Sequence, residues 1–216
     1  KGDFKKALEY GLQSVAILEA RGLEASFMYN FLGAIACDAG DYALAEHYLL
    51  KSQANTRQRG NQSQLAQSLL WLGHLEVCRQ ANPAAEKYLN ESFQLAQSVN
   101  EGWLIPLIEI EQGYLLSILG QYDLAVQKLS RSLEYARKHN HNSLLSQALL
   151  LFAETHIRTN NLDIAHAMLT EGLGAAYENN QTIEMMRGLF VVAKLSYFYG
   201  ELEQVAQLLG LLSIQI

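Results

Sequence analysis

The chain repeats itself every 40 residues. From Gly40, the equivalent positions are Gln80, Gly120, Asn160 and Gly200. Five residues after each comes Ala45, Ala85, Ala125, Ala165 or Val205, and four further on come Leu49, Leu89, Leu129, Leu169 and Leu209. Upstream, a second small residue recurs as Gly33, Gly73, Gly113, Ala153 and Ala193. A leading partial copy places Gly2, Asp3, Phe4 and Ala7 where the next has Gly40, Asp41, Tyr42 and Ala45. A fixed period of this length marks a solenoid, in which no unit can bury its apolar face alone and each stacks on its neighbours.

Helical spacing occurs twice within one period. Leu44, Ala45, Tyr48, Leu49 and Ser52 predict a helix over 42–59, and Leu65, Leu69, Leu72, Gly73 and Val77 another over about 62–79. Gly22, Gly60, Asn100, Asn140 and Asn180 stand between helices, and Gly and Asn best accept the left-handed conformation that follows a helix C-terminus. Asn82-Pro83 reads as an N-cap followed by proline at the first helical position, and Pro106 as opening the next helix in the same manner. No Val/Ile/Thr-rich alternation persists long enough for a strand. The expected fold is all-α, with eleven helices: a leading one and five pairs. The expected units are a partial 1–22, then 23–60, 61–100, 101–140, 141–180 and 181–216, in a single domain read as a fragment of a longer protein.

Composition narrows the function. Half of the residues are hydrophobic and 18% are charged, which favours folding over disorder. The formal charge of −6 argues against a nucleic-acid partner for this segment, since phosphate-backbone affinity needs clustered Lys and Arg. Two cysteines, Cys37 and Cys78, make no disulfide framework and are expected reduced, as in the cytoplasm. No apolar run approaches the roughly 18–20 residues of a membrane span.

Residues capable of chemistry are scattered. His139 and His141 flank Asn140 at a turn without further metal ligands beside them. His74 and His156 stand alone among apolar neighbours, with no acid at a fixed offset to orient them. Cys37 and Cys78 are expected to be structural thiols, because nothing cationic is placed to activate them. No Walker-type phosphate loop occurs. The expectation is a chain without catalysis, metal or cofactor.

Leu32-Gly33, then Ala45 and Leu49, repeated as Leu72-Gly73, Ala85 and Leu89, resembles the tetratricopeptide repeat (TPR) over essentially the whole chain. Its units are longer than the usual 34 residues. The aromatic expected early in the first helix survives as Tyr29, with Leu69, Glu109, Leu149 and Leu189 in its place elsewhere. The resemblance implies a TPR-like α-α superhelix, a right-handed solenoid of antiparallel helix pairs. Long units of this kind, and the closing YGELEQVAQLLG at 199–210, resemble the C-terminal regions of MalT-like and LuxR-type ATP-dependent bacterial transcription regulators.

In such arrays the first helix of each pair lines the concave binding face. The family register then implies Asn30 and Asp38; Gln67, His74 and Cys78; Tyr114 and Ser117; Gln147, Glu154 and Arg158; and Arg187, Phe190, Lys194, Tyr197 and Phe198. Arg158, Arg187 and Lys194 beside Tyr197 and Phe198 are anion-binding candidates, suited to a carboxylate or phosphate on an apolar body. The leading expectation is a domain of a bacterial regulator that binds a protein or peptide, or senses a small anionic inducer. A constitutive assembly scaffold and the substrate-recruiting array of an enzyme are the alternatives.

Overall fold

The computed structural model describes residues 2–201, 203–205 and 207, with the backbone alone for residues 2–4. Ten helices follow one another: α1 Gly2–Ala20, α2 Ser26–Asp38, α3 Tyr42–Arg59, α4 Gln62–Cys78, α5 Asn82–Ser98, α6 Leu104–Ile118, α7 Tyr122–Lys138, α8 Asn142–Arg158, α9 Leu162–Glu178 and α10 Thr182–Phe198. There is no strand among the described residues. The expected eleventh helix, with Leu209, lies outside the described residues except for 203–205 and 207, which are helical. Two compact units comprise residues 1–111 and 112–216, and the boundary falls inside α6.

The 40-residue pattern is a pattern of contacts. A methyl group added at Gly33 would stand 2.4 Å from Cγ of Leu49; at Gly73 it would stand 2.6 Å from Leu89, and at Gly113, 2.8 Å from Leu129. Each leucine therefore fills the space that a first-helix side chain would occupy. Leu49, Leu89 and Leu129 are fully buried, as are Ala45, Ala85, Ala125 and Ala165 one turn earlier. In the fourth pair Ala153 replaces the glycine and remains fully buried, in one cluster with Ala165 and Leu169. Buried serines add a polar tie: Ser52 Oγ donates to the Ser26 carbonyl at 3.0 Å, and Ser92 Oγ makes the same bond to Ala66 at 2.7 Å.

The turns are as regular as the core. Left-handed residues occur at Gly22, Gly40, Gly60, Gln80, Asn100, Gly120, Asn140, Asn160, Asn180 and Gly200, so the chain reverses about every 20 residues. The N–H after the left-handed residue reaches back five positions, as in Asp41 to Ala36 and Asn161 to His156 at 2.9 and 2.8 Å. That same residue stands at the N-cap of the next helix at most turns, and at three of them its side chain closes the cap. Asp41 and Asn61 accept from Leu44 and Gln64 N–H at 3.1 Å, and His141 Nδ1 accepts from Leu144 N–H at 3.3 Å. His141 is thus a helix cap, and no group of three or more metal-ligating side chains forms among the described residues.

Both prolines sit slightly deeper than expected. Ala81, not Asn82, is the N-cap of α5, because it follows the left-handed Gln80; Pro83 therefore falls one place further in. Helix α6 starts at Leu104, which makes Pro106 its third residue. Neither position needs an intrahelical N–H, so the first turn accommodates both. No described helix is long and apolar enough to cross a membrane.

Two substitutions test this geometry by denaturant unfolding. Gln80 holds φ 60°, where a side chain costs about 1–2 kcal/mol relative to glycine. Gln80→Gly is expected to stabilise unit 1 by about 1 kcal/mol. Gly73→Ala drives a methyl into Leu89 and is expected to destabilise by about 1–3 kcal/mol, although alanine is the better helix former.

Candidate functional site

The first helices α2, α4, α6, α8 and α10 carry all of the candidate residues, but their side chains have different fates. Asn30 is only 3% exposed, because α2 packs against both α3 and α4. It is part of the interior rather than an open binding position. Ser117 is buried as well and accepts a hydrogen bond from Thr155 Oγ1 at 3.1 Å. Gln67, Tyr114 and Gln147 are half-buried, and Asp38 is exposed.

The cations expected to hold an anion are already matched with carboxylates. Glu154, 6% exposed, accepts from Lys194 Nζ at 2.5 Å and from Arg158 at 3.1 Å. Glu154 and Lys194 occupy the same position in successive first helices, so the 40-residue period brings them together. Burial pushes the Glu154 carboxyl up, but Lys194 and then Arg158 outweigh it and hold the carboxyl below its ordinary range. Arg187 pairs with Glu184 on its own helix at 3.1 Å. Of the three anion-binding candidates, Arg158 and Lys194 thus neutralise a buried glutamate and Arg187 meets a carboxylate one turn away.

Beside this network the surface is aromatic. Phe190, Tyr197 and Phe198 are 47%, 64% and 51% exposed. The Lys194 ammonium lies 4.6 Å from the centre of the Phe190 ring, and Tyr197 meets Phe198 edge to face at 6.2 Å. These side chains, with Ala193 and Val205, line an apolar hollow of about 200 Å³.

Unit 1 contains a cluster that sequence reasoning missed. His74 Nδ1 lies 3.0 Å from Glu111 Oε2, and Nε2 lies 3.6 Å from Cys78 Sγ. Burial opposes a charge on His74, but the Glu111 carboxylate and the bond to Cys78 outweigh it and hold the imidazole well above its ordinary value. Glu111 is 37 residues from His74, so no local motif announces the pair. The available signal is the period itself: a residue just after the small position on one first helix faces a residue just before it on the next. A similar register links second helices, where Arg57 meets Glu91 and Arg137 meets Glu171, each 34 residues on.

A family model described as anaphase-promoting complex subunit 5 matches the chain over residues 27–108 and 114–196, one stretch in each compact unit. No curated protein matches the sequence. Among solved structures, the crystal structure of BtubC (BKLC) from P. vanneervenii aligns with a TM-score of 0.64 at 10% identity, covering 98% of this chain and 87% of that one. At that identity the likeness shows the fold, an all-α, TPR-like repeat of helix pairs.

The two buried charge pairs predict opposite pH behaviour. A raised histidine stabilises fully below about pH 6.5 and loses that contribution as pH rises through its folded value. The thermal stability of the native protein is therefore expected to fall on the alkaline side, and His74→Gln to flatten that slope. Glu154, held low, stabilises above the ordinary carboxylate range, and the contribution is lost as pH falls through its folded value. Lys194→Met leaves Glu154 with Arg158 alone. It is expected to cost about 2 kcal/mol at neutral pH, and replacing Arg158 as well is expected to cost more.

Proposed function

The chain belongs to the anaphase-promoting complex subunit 5 family, and on that premise we propose that it is a non-catalytic assembly scaffold holding protein partners together. The observation that carries this reading is the family match in both compact units, since the family is described as a subunit of a complex. Helical repeats suit this role because each unit adds surface without altering the core of the others.

The aromatic face of α10 is the contact surface we assign. Phe190, Tyr197 and Phe198 offer large, stiff side chains around an apolar hollow, and the Glu154–Lys194–Arg158 network supplies a polar edge. Exposed aromatics bordered by satisfied charges match the centre-and-rim arrangement of protein interfaces. The carboxylate partners of Arg158, Arg187 and Lys194 weigh against a small anionic inducer, and so against the inducer-sensing bacterial regulator. Free thiols at Cys37 and Cys78 support a reducing, cytoplasmic setting.

Affinity purification of the tagged protein from its own cells, followed by native mass spectrometry, tests the proposal. Scaffolding predicts other proteins in fixed stoichiometry, released when Phe190, Tyr197 and Phe198 are replaced together by alanine. A protein recovered alone, and stabilised on heating by small anions, would instead point to the inducer-sensing domain.

A further inference from the structure

In sequence, Cys37 and Cys78 look interchangeable, one register position apart in neighbouring units. Their surroundings differ. Cys37 is 5% exposed within the cluster of Ala36, Leu49, Leu72 and Leu75. Burial first, and the neighbouring Cys78 and Asp38 after it, push its thiol up to about 12. Cys78 is the last residue of α4 and remains partly exposed. Its sulfur lies 3.6 Å from Nε2 of His74, one turn back, and the opposite ring nitrogen lies 3.0 Å from Glu111.

In that order the carboxylate orients and charges the imidazole, and the charged imidazole stabilises a thiolate beside it. Glu111 and His74 side chains are only 9% and 13% exposed, so the ring is held against water and rotation. Because thiol and carboxylate engage opposite ring nitrogens, the three groups cannot converge on one metal ion. The helix contributes little to activation. Cys78 lies at a C-terminus, where the helix dipole opposes negative charge, so any activation comes from the imidazole.

We propose that Cys78 is a reactive thiol, set by His74 and Glu111 to be oxidised by hydroperoxides, and that Cys37 is not. The sulfur bonds to the distal oxygen of the peroxide as the O–O bond breaks. Sulfur is oxidised by two electrons to a sulfenic acid, and the peroxide is reduced to an alcohol, or to water when it is hydrogen peroxide. The thiol first releases its proton to water, which leaves a thiolate paired with the charged imidazole. The Nε2–H of His74 then hands its proton to the leaving oxygen, and a proton from water restores the imidazolium. His74 and Glu111 are positioning residues in this step; Cys78 alone is modified.

The test exposes the intact protein to hydrogen peroxide, traps sulfenic acid with a carbon nucleophile, and reads each cysteine by mass spectrometry. Cys78 is expected to oxidise about tenfold or more faster than free glutathione, while Cys37 stays reduced. His74→Gln is expected to bring Cys78 down to the glutathione rate, and Glu111→Gln to slow it by a smaller factor, with helix content unchanged. Oxidation of native Cys78 no faster than glutathione would overturn the proposal, as would a rate indifferent to His74→Gln. The comparison of native Cys78 with Cys37 and glutathione needs no variant to fold.

Discussion

A leucine set against a residue without a side chain fixes the spacing of the two helices in a pair. Leu49 on Gly33, Leu89 on Gly73 and Leu129 on Gly113 are one contact made three times, sixteen residues apart in sequence. The fully buried alanine one turn before each leucine lets the same two backbones approach along the rest of the crossing. In α8 the small residue is Ala153, and its own methyl is fully buried in the cluster around Leu169. Everything else in the repeat hangs on that approach. It decides which first-helix residues of neighbouring repeats meet, and hence that Glu154 reaches Lys194 and His74 reaches Glu111.

Charge inside such a stack is handled by neighbours rather than by solvent. Glu154 and His74 are both too buried to remain charged alone, and each finds its opposite on the first helix of the adjoining repeat. The exposed second-helix pairs, Arg57–Glu91 and Arg137–Glu171, follow the same logic with much smaller energetic consequence, because water screens them. The large side chains left exposed towards the end of α10, Phe190, Tyr197 and Phe198, are aromatic.

Much of the fold could be read from the sequence because close packing is intolerant: glycine lies beneath Leu49, Leu89 and Leu129, and nothing larger than alanine takes its place at Ala153, so the period survives in the letters. Turns were legible for a similar reason at Gly60, Asn100 and Asn140, whose backbone conformation favours few residues. Gln80 hid the same turn behind an unfavourable residue, and the good capping preference of Asn82 then drew the start of α5 one residue too late. The candidate site was less legible. Register arguments place a residue on a helix face but do not say what covers it, so the burial of Asn30 and the Glu154 partner of Arg158 were not legible. Glu111 was invisible because its meaning depends on a partner 37 residues away.

The turns have a consequence for how such a chain can change its length. With a left-handed residue about every 20 positions and the next helix starting almost at once, a hairpin has almost no slack in which to absorb one or two extra residues. A short insertion within a helix would rotate everything after it and carry leucine off glycine. Gain or loss of a complete 40-residue module leaves every contact in phase. Lineages carrying this architecture are therefore free to vary by whole modules, and they inherit the pairings between neighbours along with the copies.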